Sequence, residues 1–555
     1  MRWAKIILSV ALSQPAPASS QPDFTNRVDA LFSRYNDQSP GCVLGILNAG
    51  HLTYSRAYGM ANLEVGVPLK TESIFSIASM SKQFTGMAIV LLVEDGKLAL
   101  TDDIRKYLPE LPSYQHVITI SDLLHHTSGL KDLDQLLQFS GIHLPFDLMS
   151  RSMAWSLVRR QRDLNFVPGD EYSYSDTNYF LLGEIVERVS GETLAKFAKS
   201  RIFDPLGMTH TEFRTDASEV IHGQAAGYRK LSDGLHLAPD DDEVLGDSGV
   251  FTTIEDLARW DRNFFEPTVG GQEGLGLMLA RRPLNDGSAN VYAVGLKVQI
   301  HRGLRMIEHA GDLPGYQSEL IRFPDQRLSV AVLCNQRDDG DATSLALGVA
   351  HIVLEKEFAT ARTTIAPLPR PDSKPVTAVP GEIGRDAGIF WDEDTGDALT
   401  FAVLGGNLSI VEPSDAEVGP LERRGSNHFY RDGVTYDFSD DGSRMEARSS
   451  AAGHPNWFLR VPKPANDPAA LRNLAGAYYS ADIDRTWRLS IDRNVLVLHR
   501  EGFADEILTT PRFRDAFDSD LALLHFTRSA RGRVNGFDAL NYRLRRIHFQ
   551  RLQEK

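Results

Sequence analysis

A cluster of five prolines divides this chain of 555 residues into two parts of different texture. The prolines lie between Pro367 and Pro380. Before them, helix-like and strand-like stretches mix. After them, runs of alternating apolar and polar residues recur between turn residues, as in residues 398–410 and 487–498. Proline-rich composition is typical of an extended spacer. We therefore expect a mixed domain, a linker and an all-β region.

The segment before the linker, residues 23–362, predicts an α+β domain. The elements predicted here are a helix at 26–35, strands at 41–49, 51–57, 292–301 and 328–335, and a terminal helix at 343–358. Because strand-like runs stand at both ends of a helical middle, we expect one sheet built from both ends of the segment.

The region after the linker (363–386) contains an internal repeat. Residues 387–391 resemble residues 475–479, and each copy closes on a similar strand, at Phe458–Arg460 and at Phe549–Arg551. A second proline break separates the copies. The repeat predicts two small antiparallel β-barrels, at 387–461 and 468–555. One continuous sandwich with chance similarity is the alternative.

The chain begins with a pattern typical of a secretory signal. Residues 1–20 combine a positive start, a short apolar run and small residues, which predicts export to the periplasm or exterior. No later run approaches the ~20 apolar residues of a membrane span. A net charge of −15 argues against nucleic acid as a partner. Cys42 and Cys334 are expected to be buried free thiols, or a single bridge if the chain is exported.

Ser79 and Lys82 form the strongest chemical signal in the chain. They stand three residues apart at the start of an apolar run, so on a helix they share a face and can touch. A serine becomes a good nucleophile when a base takes its proton, and a lysine can be that base if burial and nearby cations lower its pKa. The free N–H groups of a helix start suit an oxyanion.

Two further segments complete a pattern. Tyr174 and Asp176 lie in the first, and His309 and Gly311 in the second. In order and spacing the three segments resemble the S-x-x-K, Y-x-N and K/H-x-G signatures of the penicillin-binding serine hydrolases, which include class C β-lactamases, D,D-peptidases, D-aminopeptidases and esterases. Supporting phrases lie at 95–98, 123–130 and 256–260. The resemblance covers about residues 23–358, and it implies a β-lactamase-like antiparallel sheet flanked by helices.

The resemblance implies a role for each matched residue. Ser79 would be the acylated nucleophile, Lys82 would accept or relay its proton, and Tyr174 would shuttle a proton to the leaving group. His309 occupies the cation position of the third motif. The N–H groups of Ser79 and Asp312 would form the oxyanion hole, and Gly311 would leave room for substrate along an edge strand. No metal or cofactor is implied.

Two positions depart from the family pattern. Asp176 stands where asparagine is usual, so it cannot donate to a substrate carbonyl; it could hold Lys82 charged or attract a cationic group. Ala310 stands where a carboxylate-binding hydroxyl is usual, so substrates without a free carboxylate at that end are expected. Efficient penicillin turnover is therefore not expected.

The domain plan resembles that of D-aminopeptidases, which predicts a peptidase or amidase acting on a small peptide, amide or ester. A carboxylesterase, then a β-lactamase or D,D-carboxypeptidase, and finally a non-catalytic scaffold are the alternatives. Ser248, in a Gly-Asp-Ser-Gly sequence, is a weak second candidate nucleophile.

The resemblance also implies a loop of the last barrel in the active-site cleft. We expect an acidic residue there to bind a substrate ammonium; the candidates are Glu501, Asp505, Glu506, Asp515 and Asp518.

Overall fold

The computed structural model describes residues 21–142, 147–240, 242–337, 342–364, 383–412, 417–449, 455–464, 468–508 and 511–553. The predicted signal segment and most of the predicted linker lie outside these residues. No helix in the described part of the chain is long and apolar enough to cross a membrane.

The N-terminal domain has a six-stranded antiparallel sheet and a large helical layer. Its helices are α1 (Gln21–Leu31), α2 (Lys82–Glu94), α3 (Ile120–Leu124), α4 (Leu133–Phe139), α5 (Arg151–Val158), α6 (Asp176–Ser190), α7 (Leu194–Ala198), α8 (Asp204–Leu206), α9 (Ile254–Asn263), α10 (Gly271–Leu279), α11 (Ala342–Val353) and α12 (Glu355–Thr364). Its strands are β1 (Cys42–Asn48), β2 (His51–Tyr58), β3 (Met60–Asn62), β4 (Val67–Pro68), β5 (Phe75–Ser76), β6 (Glu212–Phe213), β7 (Tyr228–Leu231), β8 (Gly234–Leu237), β9 (Val250–Thr252), β10 (Lys297–His301), β11 (Leu304–Leu313), β12 (Tyr316–Phe323), β13 (Leu328–Cys334) and β14 (Gln336–Arg337).

The main sheet joins both ends of the domain, as the sequence predicts. Its strand order is β10-β11-β12-β13-β1-β2, so the first two strands pair beside the last long one. Helices α1 and α11 cover one face, and the large apolar core lies on the other. Residues 82–92 of α2 are all buried, so this mostly apolar helix lies at the centre of the domain.

Cys42 and Cys334 lie directly opposite each other on β1 and β13, with their Cα atoms 4.0 Å apart, and they form a disulfide. The default expectation of two free thiols is therefore wrong. The pairing register explains the difference, because strands from opposite ends of the domain bring the two thiols together.

Two nearly closed antiparallel β-barrels follow. The first contains β15 (Gly388–Trp391), β16 (Ala398–Leu404), β17 (Asn407–Val411), β18 (Glu417–Pro420), β19 (Glu422–Arg423), β20 (His428–Arg431), β21 (Val434–Phe438), β22 (Arg444–Ser449) and β23 (Asn456–Val461). The second follows the short helix α13 (Pro468–Arg472) and contains β24 (Gly476–Ser480), β25 (Arg485–Asp492), β26 (Val495–His499), β27 (Glu506–Leu508), β28 (Pro511–Phe513), β29 (Ala516–Asp518), β30 (Leu523–Arg528), β31 (Val534–Leu540) and β32 (Ile547–Arg551).

The two barrels have the same topology. The first runs β18-β17-β16-β15-β23-β22-β21-β20-β19, and the second repeats this order nine strands later. In each barrel the two edge strands are consecutive in the chain. The internal repeat is therefore structural, and the single-sandwich alternative is excluded.

The second barrel packs directly on the N-terminal domain. Its buried Trp487 lies 5.5 Å from the ring of Phe139 in α4, and the residues of this barrel belong to the same apolar core as the helical layer. The first barrel has a separate core and contacts the second through a small apolar cluster that includes Trp391 and Phe513. The second barrel therefore contacts helix α4 directly.

Candidate active site

The predicted nucleophile lies at a strained turn before the central helix. Ser79 belongs to a 3-10 turn, Ala78–Ser81, that leads into α2, and Ala78 has a φ of +50°. A non-glycine residue in this left-handed region is unfavourable and is often found at functional sites. Ser79 is partly exposed, whereas Lys82 is fully buried and its Nζ donates to Ser79 Oγ over 3.0 Å. Helical spacing therefore brings the two predicted residues together.

Lys82 is held by oxygen atoms on several sides. Its Nζ also donates to Asp176 Oδ1 (2.7 Å) and to the carbonyl oxygen of Asp247 (2.8 Å). Burial alone would lower the pKa of Lys82, but Asp176, Tyr174 and Asp247 together outweigh burial and raise this pKa above its ordinary value. The condition for a neutral lysine base, a lowered pKa, is therefore not met, and Lys82 is an ammonium at rest.

Asp176 is placed by the start of α6. Its backbone N–H donates to Asp132 Oδ2 (2.8 Å), and the other oxygen of Asp132 accepts from the Gln135 N–H (3.1 Å) in the first turn of α4. One buried carboxylate thus caps both helices, in accordance with the preference of aspartate for helix starts. Burial opposes ionisation of Asp176, but Lys82 and Arg543 outweigh it and lower its pKa. Of the two roles open to Asp176, the structure shows that of holding Lys82 charged.

Tyr174 lies between cationic groups. Lys82 Nζ is 5.0 Å from its ring centroid, and the guanidinium carbon of Arg543 is 5.2 Å from it. Burial raises the pKa of Tyr174 to about 12, although Lys82 acts in the opposite direction. His126 packs against the ring, and its Nδ1 accepts from the Ser175 N–H (3.2 Å). This histidine braces the start of α6.

His309 occupies the predicted position but is not a cation. Its Nδ1 donates to the carbonyl of Ala310 (2.6 Å), which leaves Nε2 to accept from the hydroxyl of Tyr292 (2.7 Å). Burial and the charge of Lys82 lower its pKa to about 3. His309 is therefore neutral at neutral pH, and its catalytic role stays a prediction. Tyr292 was missed because no motif marks it.

The strand that carries His309 forms one wall of the site. Strand β10 pairs with β11 only as far as Glu308, and Ala310, Asp312 and Leu313 line the cleft beyond that point. A Cβ atom on Gly311 would lie 2.1 Å from the carbonyl oxygen of Ile77. Gly311 therefore allows the strand to approach the turn before Ser79, rather than leaving room for substrate as expected. The carboxylate of Asp312 pairs with Arg337 (2.9 Å).

A loop of the second barrel reaches the site, as the resemblance implies, but it delivers a cation. The loop is residues 541–546, between β31 and β32, and NH1 of its Arg543 lies 3.5 Å from Asp176 Oδ2 and 3.6 Å from Asp132 Oδ1. The acidic candidates of this barrel do not serve the site. Glu506, Asp515 and Asp518 pair with arginines, Asp505 pairs with His499, and Glu501 does not line the cleft. The signal that could have revealed the loop is its three arginines within six residues.

These side chains surround a cleft of about 960 Å³. Ser79, Tyr174, Asp176, His309 and Arg543 all line it, together with Asp134 and Phe503. Ser248 does not line this cleft; it is 4% exposed and donates to Asp242 Oδ2 (3.1 Å). The geometry favours Ser79 over Ser248 as the group that meets a substrate.

Two relatives are similar in sequence to this chain over long stretches. Penicillin-binding protein 4* of Bacillus subtilis is 32% identical over 332 residues, which is 57% of this chain and 72% of that protein. A D-aminopeptidase of Brucella anthropi is 26% identical over 536 residues, and the match covers 93% of this chain and 96% of that protein. The second match includes both barrels.

A solved structure has a similar fold over most of this chain. An octameric penicillin-binding protein homologue from Pyrococcus abyssi has a TM-score of 0.54 at 20% identity, covering 87% of this chain and 99% of that one. The family model described as Beta-lactamase matches residues 28–354, the stretch that holds Ser79, Lys82, Tyr174 and His309. Because that match spans more than half of the chain and contains all three motifs, the chain belongs to the beta-lactamase family of serine hydrolases.

Proposed function

We propose that the protein is a D-aminopeptidase-like peptidase or amidase that works through an acyl-enzyme on Ser79. The observation that carries this proposal is the hydrogen bond from Lys82 Nζ to Ser79 Oγ (3.0 Å) on the wall of an open cleft. The full-length similarity to D-aminopeptidases supports the subclass.

The proposed reaction is acyl transfer, in which Ser79, Lys82 and Tyr174 each have a role. The reactive form of the site is the one in which the pair of Tyr174 and Lys82 has lost one proton to solvent. Ser79 Oγ then bonds to the acyl carbon while its own proton passes to this pair. The N–H of Ser79 lies in the first turn of a helix, where it is free of intrahelical partners and can stabilise the oxyanion. The pair then returns a proton to the leaving amine, and water releases the acyl group by the reverse sequence.

The part of the cleft around Asp134 favours a substrate with a free amine. Burial and the neighbouring carboxylates of Asp176 and Asp132 raise the pKa of Asp134 well above its ordinary value. A substrate ammonium beside Asp134 would offset this negative field, since an opposite charge stabilises an ionised carboxylate. Asp134 replaces the acidic residues of the barrel as our candidate for this contact.

A hydrolysis panel tests the proposal. It contains D- and L-aminoacyl amides, p-nitrophenyl esters and a cephalosporin. Turnover of aminoacyl amides with little hydrolysis of the cephalosporin is expected. Efficient turnover of the cephalosporin by the unmodified protein would instead favour a β-lactamase.

A carboxylesterase of the same fold is the second candidate, and one observation favours it. The raised pKa of Lys82 leaves little neutral amine at neutral pH. Esters have better leaving groups than amides and need less help from a base. Hydrolysis of esters alone in the panel would support this candidate.

Replacing Asp176 with asparagine is expected to move the rising limb of the pH–rate profile to lower pH by about one unit or more. The charge of Asp176 raises the pKa of both Lys82 and Tyr174. Its removal therefore lowers the pH at which the pair loses a proton, and activity requires that loss. The kcat/KM of Asp176→Asn is measured across pH, with the exposed Asp312→Asn as control. An unshifted limb, or equal shifts in both variants, would contradict this assignment.

Replacing Ala310 with threonine is expected to improve reaction with substrates that carry a carboxylate on the leaving group. A restored charge-assisted hydrogen bond contributes roughly 1.5–3 kcal/mol. Ala310 lines the cleft beside a neutral His309, so neither of these two side chains supplies a charged donor or a hydroxyl. Ala310→Val has the shape of threonine without the hydroxyl and is the matched control. Equal gains in kcat/KM for the two variants would contradict the prediction.

Export is also part of the proposal. The disulfide between Cys42 and Cys334 supports it, since such bonds persist mainly in oxidising compartments. Cell fractionation tests it: the mature protein is expected outside the cytoplasm without residues 1–20, and a cytoplasmic protein with an intact start would contradict it.

A further inference from the structure

The loop of residues 541–546 is held rigidly against the N-terminal domain. The side chain of Asn541 accepts from the N–H groups of Arg543 and Leu544 (3.1 and 2.9 Å) and donates to Gln135 Oε1 (2.8 Å). Asn165 donates to the carbonyl of Arg543 (2.8 Å), and Leu544 is fully buried. The position of Arg543 is therefore fixed before any substrate binds, which lowers the entropy cost of using it.

The guanidinium of Arg543 is only partly used by the protein. Both of its carboxylate contacts involve NH1, at 3.5 and 3.6 Å, and these are longer than the paired bonds of a bidentate arginine–carboxylate contact. Nε and NH2 make no hydrogen bond within the described part of the chain. The side chain is 38% exposed and lines the cleft. A planar fork of donors thus faces the space that a substrate would occupy.

This cation is connected to the nucleophile through a short chain of contacts. Arg543 contacts Asp176, Asp176 contacts Lys82, and Lys82 donates to Ser79. Arg543 also lies over the ring of Tyr174. Any acyl group bound at Ser79 with a substituent directed toward Tyr174 would approach the guanidinium.

We propose that Arg543 selects acyl groups that carry a carboxylate, so that the preferred substrates are amides or esters of amino acids with an acidic side chain. This inference rests on the proposed function and specifies its substrate class. A guanidinium matches a carboxylate in shape and charge, and the open donors of Arg543 supply the two parallel bonds. Asp134 remains available in the same cleft for the ammonium of such a residue.

A matched substrate pair tests the proposal. Glutamyl and glutaminyl p-nitroanilides, in both D and L forms, differ only by a carboxylate and its neutral carboxamide. The ratio of their kcat/KM values is measured for the full-length protein and for Arg543→Gln, Arg543→Lys and Arg545→Gln. Arg545 is on the same loop but pairs with Glu171 and lines a different cavity, so Arg545→Gln controls for loop docking.

We expect the unmodified protein to favour the glutamyl substrate by at least tenfold, as a charge-assisted bond implies. Arg543→Gln should bring the ratio close to one, Arg543→Lys should give an intermediate ratio, and Arg545→Gln should keep the original ratio. A ratio near one in the unmodified protein would overturn the proposal. So would an unchanged ratio in Arg543→Gln, because equal losses for both substrates would mean that Arg543 only neutralises Asp132 and Asp176. Failure to hydrolyse either anilide or an alanyl ester would instead refute the proposed function.

Discussion

Replacing Ser79 with alanine is expected to lower kcat/KM by about 10⁴-fold or more, since loss of a nucleophile from a concerted set removes most of the rate enhancement. Lys82 and Tyr174 would remain in place, but neither could form the acyl bond. The measurement is the hydrolysis of the best aminoacyl amide or ester, with folding checked by circular dichroism.

Ser248→Ala is the matched control. Ser248 is a buried serine in a glycine-rich loop and its hydroxyl donates to Asp242. We expect activity within about threefold of the unmodified protein, as for a substitution away from the reacting atoms. Persistence of turnover in Ser79→Ala, or a comparable loss in Ser248→Ala, would contradict the mechanism.

Replacing Trp487 with alanine is expected to lower the free energy of unfolding by about 3–5 kcal/mol. Trp487 is 2% exposed and lies 4.4 Å from the ring of Phe549 and 5.5 Å from that of Phe139. Its removal would leave a cavity where the second barrel meets α4. Denaturant titration followed by far-ultraviolet circular dichroism measures the change.

Trp457→Ala provides the comparison, because this tryptophan of the first barrel is 58% exposed. We expect a change of about 0.5 kcal/mol or less for it. Equal changes in the free energy of unfolding for the two substitutions would contradict the prediction that burial of Trp487 stabilises the protein. Removal of both barrels would expose Phe139 and its neighbours, because these residues share one core with the second barrel.

The local part of the site could be predicted from the sequence. Ser79 and Lys82 are three residues apart on a helix, and this spacing alone places their side chains together. Tyr174, Asp176 and His309 were found through short motifs, and the structure brings them to the same cleft. The repeat after the linker likewise predicted the two barrels, because each copy carries its own strand pattern.

The protonation states could not be predicted, because they depend on groups distant in sequence. The pKa of Lys82 depends on burial and on the opposing charges of Asp176, Tyr174 and Asp247, and that of His309 on burial and on Lys82. Neither environment is visible in a single motif. The same reason hid the hydrogen bond between Tyr292 and His309.

The loop of the second barrel shows the same limit. The resemblance implies that a loop enters the cleft, but the residues of the second barrel that line it are Phe503 and Arg543, and none of the acidic candidates does. Arg543 reaches Asp176 across 367 positions of sequence, so only the packing of the barrel reveals the contact. The sequence does not decide whether the disulfide forms, for a similar reason, because its two cysteines are 292 positions apart.

The central claim is that Ser79 forms the acyl-enzyme, and mass spectrometry of a trapped adduct tests it most directly. The protein is treated with a slowly released acylating probe, quenched and digested with trypsin. We predict one adduct on the peptide of residues 71–82, located at Ser79 by fragmentation, and no adduct in Ser79→Ala. An adduct on Ser248, or continued turnover of the probe without any adduct on residues 71–82, would contradict the account.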